Sequence, residues 1–422
     1  MRDTRRDAFG VMARAFAILA PVLCFSPVLA EDFVPPGQLE RVVILSRHGV
    51  RSPIKDSDTL QNFRKPTTPP WPDFGVQHPA DLTLKGALLM QRMGAYYRKR
   101  WAALFEPDAC PNRAFFWADR DERTLMTARS LVGGLAGGAC DLRVLETTEA
   151  TDPVFHPCKP PAAENPPVLK EQVGLVQAVV DCCSEKLCEQ IGRTSCQLQD
   201  LMDDKKTHDQ AYDFIQSFGE ILLFEYAQAF EGNDFAFGKI APAQKGEWMK
   251  LLAIHADLFN KKQRDGGVAL LQGANLLYHM AYAIKNGAPL IPPSADGATP
   301  VNFVVYVGHD TNIANVAGLL GLQWPAGDYP ANDVAPGAAL AFEVRRSAPN
   351  ESNEYVHPVM LAQPPDSLRG DGSEIRSVPL PISGCNGPNG SCAMSDFVKI
   401  VKNAIKHDEN NACITDWRGL AD

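Results

Sequence analysis

The sequence predicts an α/β fold, with a mostly parallel sheet flanked by helices and an inserted α-helical domain. Three observations carry this. Two short, β-branched apolar runs, Arg41-Val-Val-Ile-Leu-Ser46 and Val301-Asn-Phe-Val-Val-Tyr-Val307, have the composition of strands buried on both faces of a parallel sheet. Each runs into a histidine-bearing loop, the first into Arg47-His48-Gly49-Val50-Arg51-Ser52-Pro53 and the second into Gly308-His309-Asp310-Thr311-Asn312. Between them, residues 164–265 lack such runs and are helix-forming throughout, as from Asp213 to Phe230.

In chain order, the first segment is a leader. Arg2, Arg5, Arg6 and Arg14 precede an apolar run from Ala15 to Phe25 that ends in Val28-Leu29-Ala30, the pattern of a secretory signal peptide cleaved after residue 30. Pro21, Ser26 and Pro27 interrupt the run before it reaches the roughly 20 apolar residues that a membrane span needs. No second long apolar segment follows, so no membrane association is expected once the leader is gone. The first strand comes next, and then a helix from Leu82 to Leu104, with Leu84, Leu88, Leu89, Met93, Tyr96 and Tyr97 at helical spacing and Arg98-Lys-Arg100 suiting its C-terminal dipole. Ala114-Phe-Phe-Trp-Ala118 reads as another strand, which enters the charged loop Asp119-Arg-Asp-Glu-Arg123-Thr124 and a helix up to Gly133. Pro157, Pro160, Pro161, Pro166 and Pro167 form an entry linker to the helical insertion. The expected division is therefore residues 31–163 and 266–422 as the α/β domain and 164–265 as the insertion. The strand at 301–307 leads to a helix from Ile313 to Leu320.

Composition narrows the function. The chain has 422 residues, 45% hydrophobic and 22% charged, which is globular usage with room for a large core. The net charge is −9, and no Lys/Arg block is long enough to track a nucleic-acid backbone, which argues against DNA or RNA as a partner. Of the eleven cysteines, Cys24 lies in the leader and ten remain, an even number that suits an exported, disulfide-bonded protein. The crowded group Cys182, Cys183, Cys188 and Cys196 has no nearby histidines and lacks the paired spacing of a zinc site, so no metal is expected. Three pairings are open within that group. Cys385 and Cys392 flank the turn-forming Asn386-Gly387-Pro388-Asn389-Gly390, which favours a local bridge.

The two histidine loops point to phosphoryl chemistry. Open α/β sheets bind ligands beyond the carboxyl ends of their strands, where these loops are placed to meet. In Arg47-His48-Gly49-x-Arg51, two guanidinium forks that match phosphate oxygens bracket an imidazole competent to attack phosphorus. His309 adds a group to hold a phosphoryl oxygen, and Asp310 a carboxyl to protonate a leaving alkoxide. Solvated loop charges are the bland alternative for the first loop, and a structural His-Asp pair for the second. A serine hydrolase, a dehydrogenase and a P-loop enzyme are all disfavoured, because G-x-S-x-G, G-x-G-x-x-G and G-x-x-x-x-G-K-[ST] are missing.

Arg47 through Pro53 matches R-H-G-x-R-x-P without a mismatch, and with His309-Asp310 it resembles the histidine acid phosphatases. The nearest likeness is to their bacterial periplasmic branch of 4-phytases and glucose-1-phosphatases. Leu82 to Gly86, Asp121 to Thr124, Gly219 to Gln228 and Pro336-Gly337 support it. The resemblance implies a phosphoglycerate-mutase-like fold. His48 would take the phosphoryl group, Arg47, Arg51, Arg123 and His309 would hold its oxygens, and Asp310 would be the proton donor. Lys55 and Glu220 match pocket-lining positions of phytases. Thr311, with Asn312, follows the phytase form of the His-Asp element, and Ile54 departs from it, standing where phytases have Thr. It further implies bridges Cys110–Cys140, Cys158–Cys413 and Cys385–Cys392, and the sequence departs from the family's pattern at the extra pair Cys182-Cys183. The expected protein is a monomeric, periplasmic or secreted acid phosphatase acting on a small phosphate ester, phytate foremost, without a cofactor. A glucose-1-phosphatase, a broad acid phosphatase and a non-catalytic phosphate-ester binder are the alternatives.

Overall fold

The computed structural model describes residues 34–55, 57–105, 114–137, 142–157, 164–290, 301–348, 352–405 and 420. The leader and the expected Cys110–Cys140 and Cys158–Cys413 bridges lie outside them. The strands are β1 (Gln38–Arg47), β2 (Ala114–Ala118), β3 (Val144–Leu145), β4 (Phe303–Gly308), β5 (Ala339–Arg346), β6 (Glu354–Ala362), β7 (Arg376–Pro379) and β8 (Cys392–Ala393). They form one sheet ordered β3-β2-β4-β1-β5-β6-β7, with β8 on β6. The expected parallel pairing holds for β3, β2, β4 and β1. The other half, from β5 onward, is antiparallel, which makes the sheet mixed rather than mostly parallel. The reason is the connection. Only seven residues separate β5 from β6, too few for the helical crossover that a parallel pair requires.

Because side chains alternate along a strand, β1 feeds two cores. Val43 and Leu45 point to one face with Val304 and Tyr306, beneath α9 (Gly266–Asn286), α10 (Asp310–Leu320) and α12 (Met394–Ala404). Val42 and Ile44 point to the other with Val305 and Phe116, against α2 (Leu84–Arg100) and α3 (Glu122–Ala136). On α2 the buried face is Gly86, Leu89, Met90, Met93, Gly94 and Tyr97, whereas Leu84 and Leu88, placed on the apolar face by their spacing, are exposed. Gly94 and Gly134 set that phase. A Cβ on either would run into the backbone of the facing helix, so only glycine lets α2 and α3 approach this closely.

The remaining helices are α1 (Ser57–Gln61), α4 (Lys170–Val180), α5 (Glu185–Glu189), α6 (Leu198–Asp203), α7 (His208–Ala227), α8 (Lys245–Gln263) and α11 (Pro365–Arg369). Those between residues 170 and 263 pack a core around Phe214, Phe218, Trp248 and Leu252, to which Leu60, Phe63 and Trp71 from nearer the N-terminus also contribute. Within it the open cysteine pairing is resolved. Cys188 bridges Cys196, and Cys182 bridges its neighbour Cys183. Cys385–Cys392 forms as expected, with Cα atoms 4.8 Å apart. Among the described residues, no helix is long and apolar enough to cross a membrane.

One acid in this helical core predicts a pH dependence of stability. Glu225 is buried, with the Ala236 N–H as its side-chain partner, and burial pushes its carboxyl up to about 8. The native state therefore holds this proton more tightly than the unfolded chain does, and stability falls as pH rises from about 4.5 toward 8. Between pH 5 and 7 the loss is of order 2–3 kcal/mol. In urea melts, Glu225→Gln should flatten the decline over that range by this amount.

Candidate active site

Two parallel strands bring the histidine loops together. Arg47 pairs with Gly308 in the β1–β4 register, and the His48 N–H donates to the Gly308 carbonyl at 2.9 Å. On the far side of β4, the Asp119 N–H donates to the Val307 carbonyl, so the β2–α3 loop emerges at the same edge. The C-terminal ends of β1, β2 and β4 thus deliver Arg47, His48, Asp119, Arg123, His309 and Asp310 to one place. His309 stands immediately before α10, its N–H held by Asn312 Oδ1 at 2.8 Å, which starts the helix at Asp310, three residues ahead of the Ile313 expected from sequence.

The pocket here has a volume of about 370 Å³. His48, Arg51, Arg123, His309, Asp310 and Thr311 line its sheet side. From α7 and α8 come Tyr212, Gln216, Glu220, His255, Phe259 and Lys262. Lys55 is placed elsewhere, in an adjoining cavity of about 220 Å³, with its Nζ 3.9 Å from Asp213. Ile54 borders both spaces.

His48 is 2% exposed. Its Nδ1 lies 2.9 Å from the Gly49 carbonyl, which accepts only, so Nδ1 carries the proton and Nε2 keeps its lone pair. Burial, then Arg47, Arg51, His309 and Arg123, lowers its pKa well below the ordinary histidine value. The imidazole therefore stays neutral to lower pH than an ordinary histidine does.

The cations are held by acids from other elements. Glu220 on α7 binds Arg47 with one carboxylate oxygen and Arg51 with the other, the latter at 3.0 Å. Burial alone would raise the Glu220 pKa, but the two guanidinium groups hold it far below the carboxylate range. Arg47 also donates to the Val334 carbonyl and lies 2.8 Å from Asp310 Oδ2. Arg51 stacks on Phe224, 4.7 Å from the ring centre, and its pKa falls to about 10 through burial and the neighbouring Arg47, which leaves it charged in neutral and acidic solution. Asp310 Oδ1 accepts from the Thr311 N–H at 2.7 Å.

Arg123 pairs with Asp121 and lies 3.4 Å from His309 Nδ1. His309 Nε2 donates to Asp119 Oδ2 at 2.7 Å, and the His48 and His309 ring centres are 5.6 Å apart. The Nε–H groups of Arg47, Arg51 and Arg123 are buried without an acceptor among the described residues. This surplus of donors around a neutral imidazole matches a tetrahedral oxyanion.

Sequence reasoning singled out neither Asp119 nor His156, which donates from Nε2 to the same Asp119 oxygen at 2.7 Å. Asp119 sits in the charged loop noted above, but its partnership depends on β2 lying beside β4, an order the sequence does not display. His156 follows no strand, and no spacing marks it. The three side chains also have the donor set of a metal site, although both 2.7 Å contacts are ordinary hydrogen bonds from imidazole to carboxylate.

Residues 38–360 match the family model described as the histidine phosphatase superfamily (branch 2). The chain is 28% identical to phytase AppA of Escherichia coli (strain K12), over 88% of this chain and 93% of that protein. It is 25% identical to the glucose-1-phosphatase of Salmonella typhimurium, over 93% of this chain and 98% of that one. Among solved structures, Hafnia alvei phytase in complex with tartrate superposes with a TM-score of 0.70 at 29% identity, covering 91% of this chain and all of that one. The same phytase in complex with myo-inositol hexakis sulphate gives 0.69 at 28% identity.

Proposed function

The chain belongs to the histidine phosphatase superfamily (branch 2), and from that premise we propose that it is an exported acid phosphomonoesterase that hydrolyses phytate through a phosphohistidine at His48. One observation carries the mechanism: His48 is a buried, neutral imidazole with its Nε2 lone pair free amid three arginines. Similarity to phytases of E. coli and Hafnia alvei supports the substrate.

In this reading Arg47, Arg51, Arg123 and His309 hold the three non-bridging oxygens of the scissile phosphate and neutralise the charge of the transferring group. The His48 Nε2 lone pair forms the N–P bond as the P–O ester bond breaks, and Asp310 gives the departing alkoxide its proton. Water then attacks the phosphohistidine and returns its proton to Asp310, and inorganic phosphate leaves with His48 restored. Glu220 holds Arg47 and Arg51 in place, both its oxygens being committed to them. Residues 164–265 act as a helical cap, with α7 and α8 closing the pocket over the sheet edge. The protein is read as a periplasmic or secreted monomer that needs no metal.

Phosphate release with chelator present, from phytate and glucose-1-phosphate side by side, tests this. The expected result is turnover of phytate with an optimum below pH 7, because His48 stays unprotonated in acid while Asp310 must carry a proton. Turnover of glucose-1-phosphate alone would keep the mechanism and replace the substrate. An alkaline optimum would contradict the assigned roles.

A further inference from the structure

His156 is a pocket residue that the phosphoryl-transfer steps above leave without a task. Its backbone is fixed. The His156 N–H donates to the Asp152 carbonyl at 2.8 Å, the preceding Val154 and Phe155 are fully buried, and Asn275 holds the Pro153 carbonyl at 2.7 Å. The Phe155 ring packs where Gly308 leaves room for it, so this loop is set against the end of β4. The His156 side chain is 44% exposed and lines the same pocket as His48, Arg123 and His309, with its ring centre 5.9 Å from that of His309. Nε2 is committed to Asp119, while Nδ1 has no partner among the described residues.

We propose that protonated His156 is a second phosphate subsite, which grips a phosphate group neighbouring the scissile one and so favours polyphosphorylated esters over monophosphates. This rests on the phosphoryl-transfer reading. The spacing is suitable, since two imidazoles about 6 Å apart are placed like the phosphate groups on adjacent carbons of a small ring.

The charges around His156 agree. Asp119 and Asp121 of the β2–α3 loop and Asp152 of its own segment face it, and the hydrogen bond to Asp119 is the main cause of its raised pKa. These acids do not simply repel an anion. Asp119 is matched by the N–H groups of His309 and His156, and Asp121 by Arg123. In acid the Nδ1–H of His156 is therefore an unspent, charged donor on a side chain that lines the pocket.

The test is calorimetric and needs no turnover. Two probes, myo-inositol hexakissulfate and inorganic phosphate, are titrated at pH 5 into the mature protein and its His156→Gln variant, which keeps a donor for Asp119 but cannot become charged. The hexasulfate should bind the variant about tenfold more weakly, the scale of one charge-assisted hydrogen bond at a partly exposed site, while phosphate affinity moves less than twofold. The difference between the proteins should shrink as pH rises through the histidine titration. An equal weakening of both probes would show that His156 acts only by positioning Asp119 and His309, and an unchanged hexasulfate affinity would show that it binds nothing. Either result overturns the subsite. Because both probes are non-reactive, a failure of the phosphatase reading shows separately, as absence of phosphate release from the unmodified protein.

Discussion

Replacing His48 with Ala should lower kcat/KM for phosphate esters by about 10⁴-fold or more, because it removes the nucleophile instead of weakening a contact. The Nε2 of His48 has no partner among the described residues, whereas His309 and His156 both donate theirs to Asp119. The arginine cluster depends on Glu220 and Asp310 and should survive the substitution, so inorganic phosphate should still bind. Steady-state kinetics with p-nitrophenyl phosphate, paired with phosphate calorimetry on the same sample, separates loss of chemistry from loss of the site. Activity within tenfold of the parent would rule out covalent catalysis at His48.

Asp310→Asn should show a loss that depends on the leaving group. With alkyl phosphates, whose alkoxide needs a proton, kcat should fall by about 10²- to 10⁴-fold. With p-nitrophenyl phosphate, whose leaving group departs unprotonated, phosphorylation of His48 should be nearly unaffected. Hydrolysis of the phosphoenzyme should slow, because the carboxylate that accepts the proton of water is gone. A burst of p-nitrophenol equal to the enzyme present, followed by slow turnover, is the expected trace. Equal losses for both substrates without a burst would mean that Asp310 serves only to hold Arg47 and the start of α10.

Much of this site was legible in the sequence because its parts lie where strands end. Arg41–Ser46 and Val301–Val307 are apolar enough to declare themselves buried strands, and a parallel pair necessarily carries its following loops to the same edge. What the sequence left hidden depends on neighbours in space. The β5–β6 pair, with Glu343, Arg345, Arg346 and His357 within it, carries no apolar run like those of β1 and β4, and its antiparallel direction follows from the short link between the two strands. Leu84 and Leu88 have the period of a buried face, but the phase of α2 is set by its glycine contact with α3. Glu220 appeared as a pocket acid with no indication that both its oxygens would be taken by Arg47 and Arg51, since charge partners on a distant helix leave no local trace. His156 escaped notice for the same reason, its meaning resting on an aspartate 37 residues away.

The most direct test of the mechanism is to trap the covalent intermediate. The Asp310→Asn protein would be mixed with p-nitrophenyl phosphate, quenched in alkali within the burst, digested and mapped by mass spectrometry. An N–P bond survives base and is cleaved by acid, so a phosphohistidine mechanism requires a near-stoichiometric, alkali-stable and acid-labile phosphate on the peptide containing His48, absent when His48 is also changed to Ala. A protein that shows the burst while this peptide stays unmodified, or that carries the phosphate on another residue, would contradict the assignment of His48 as the nucleophile.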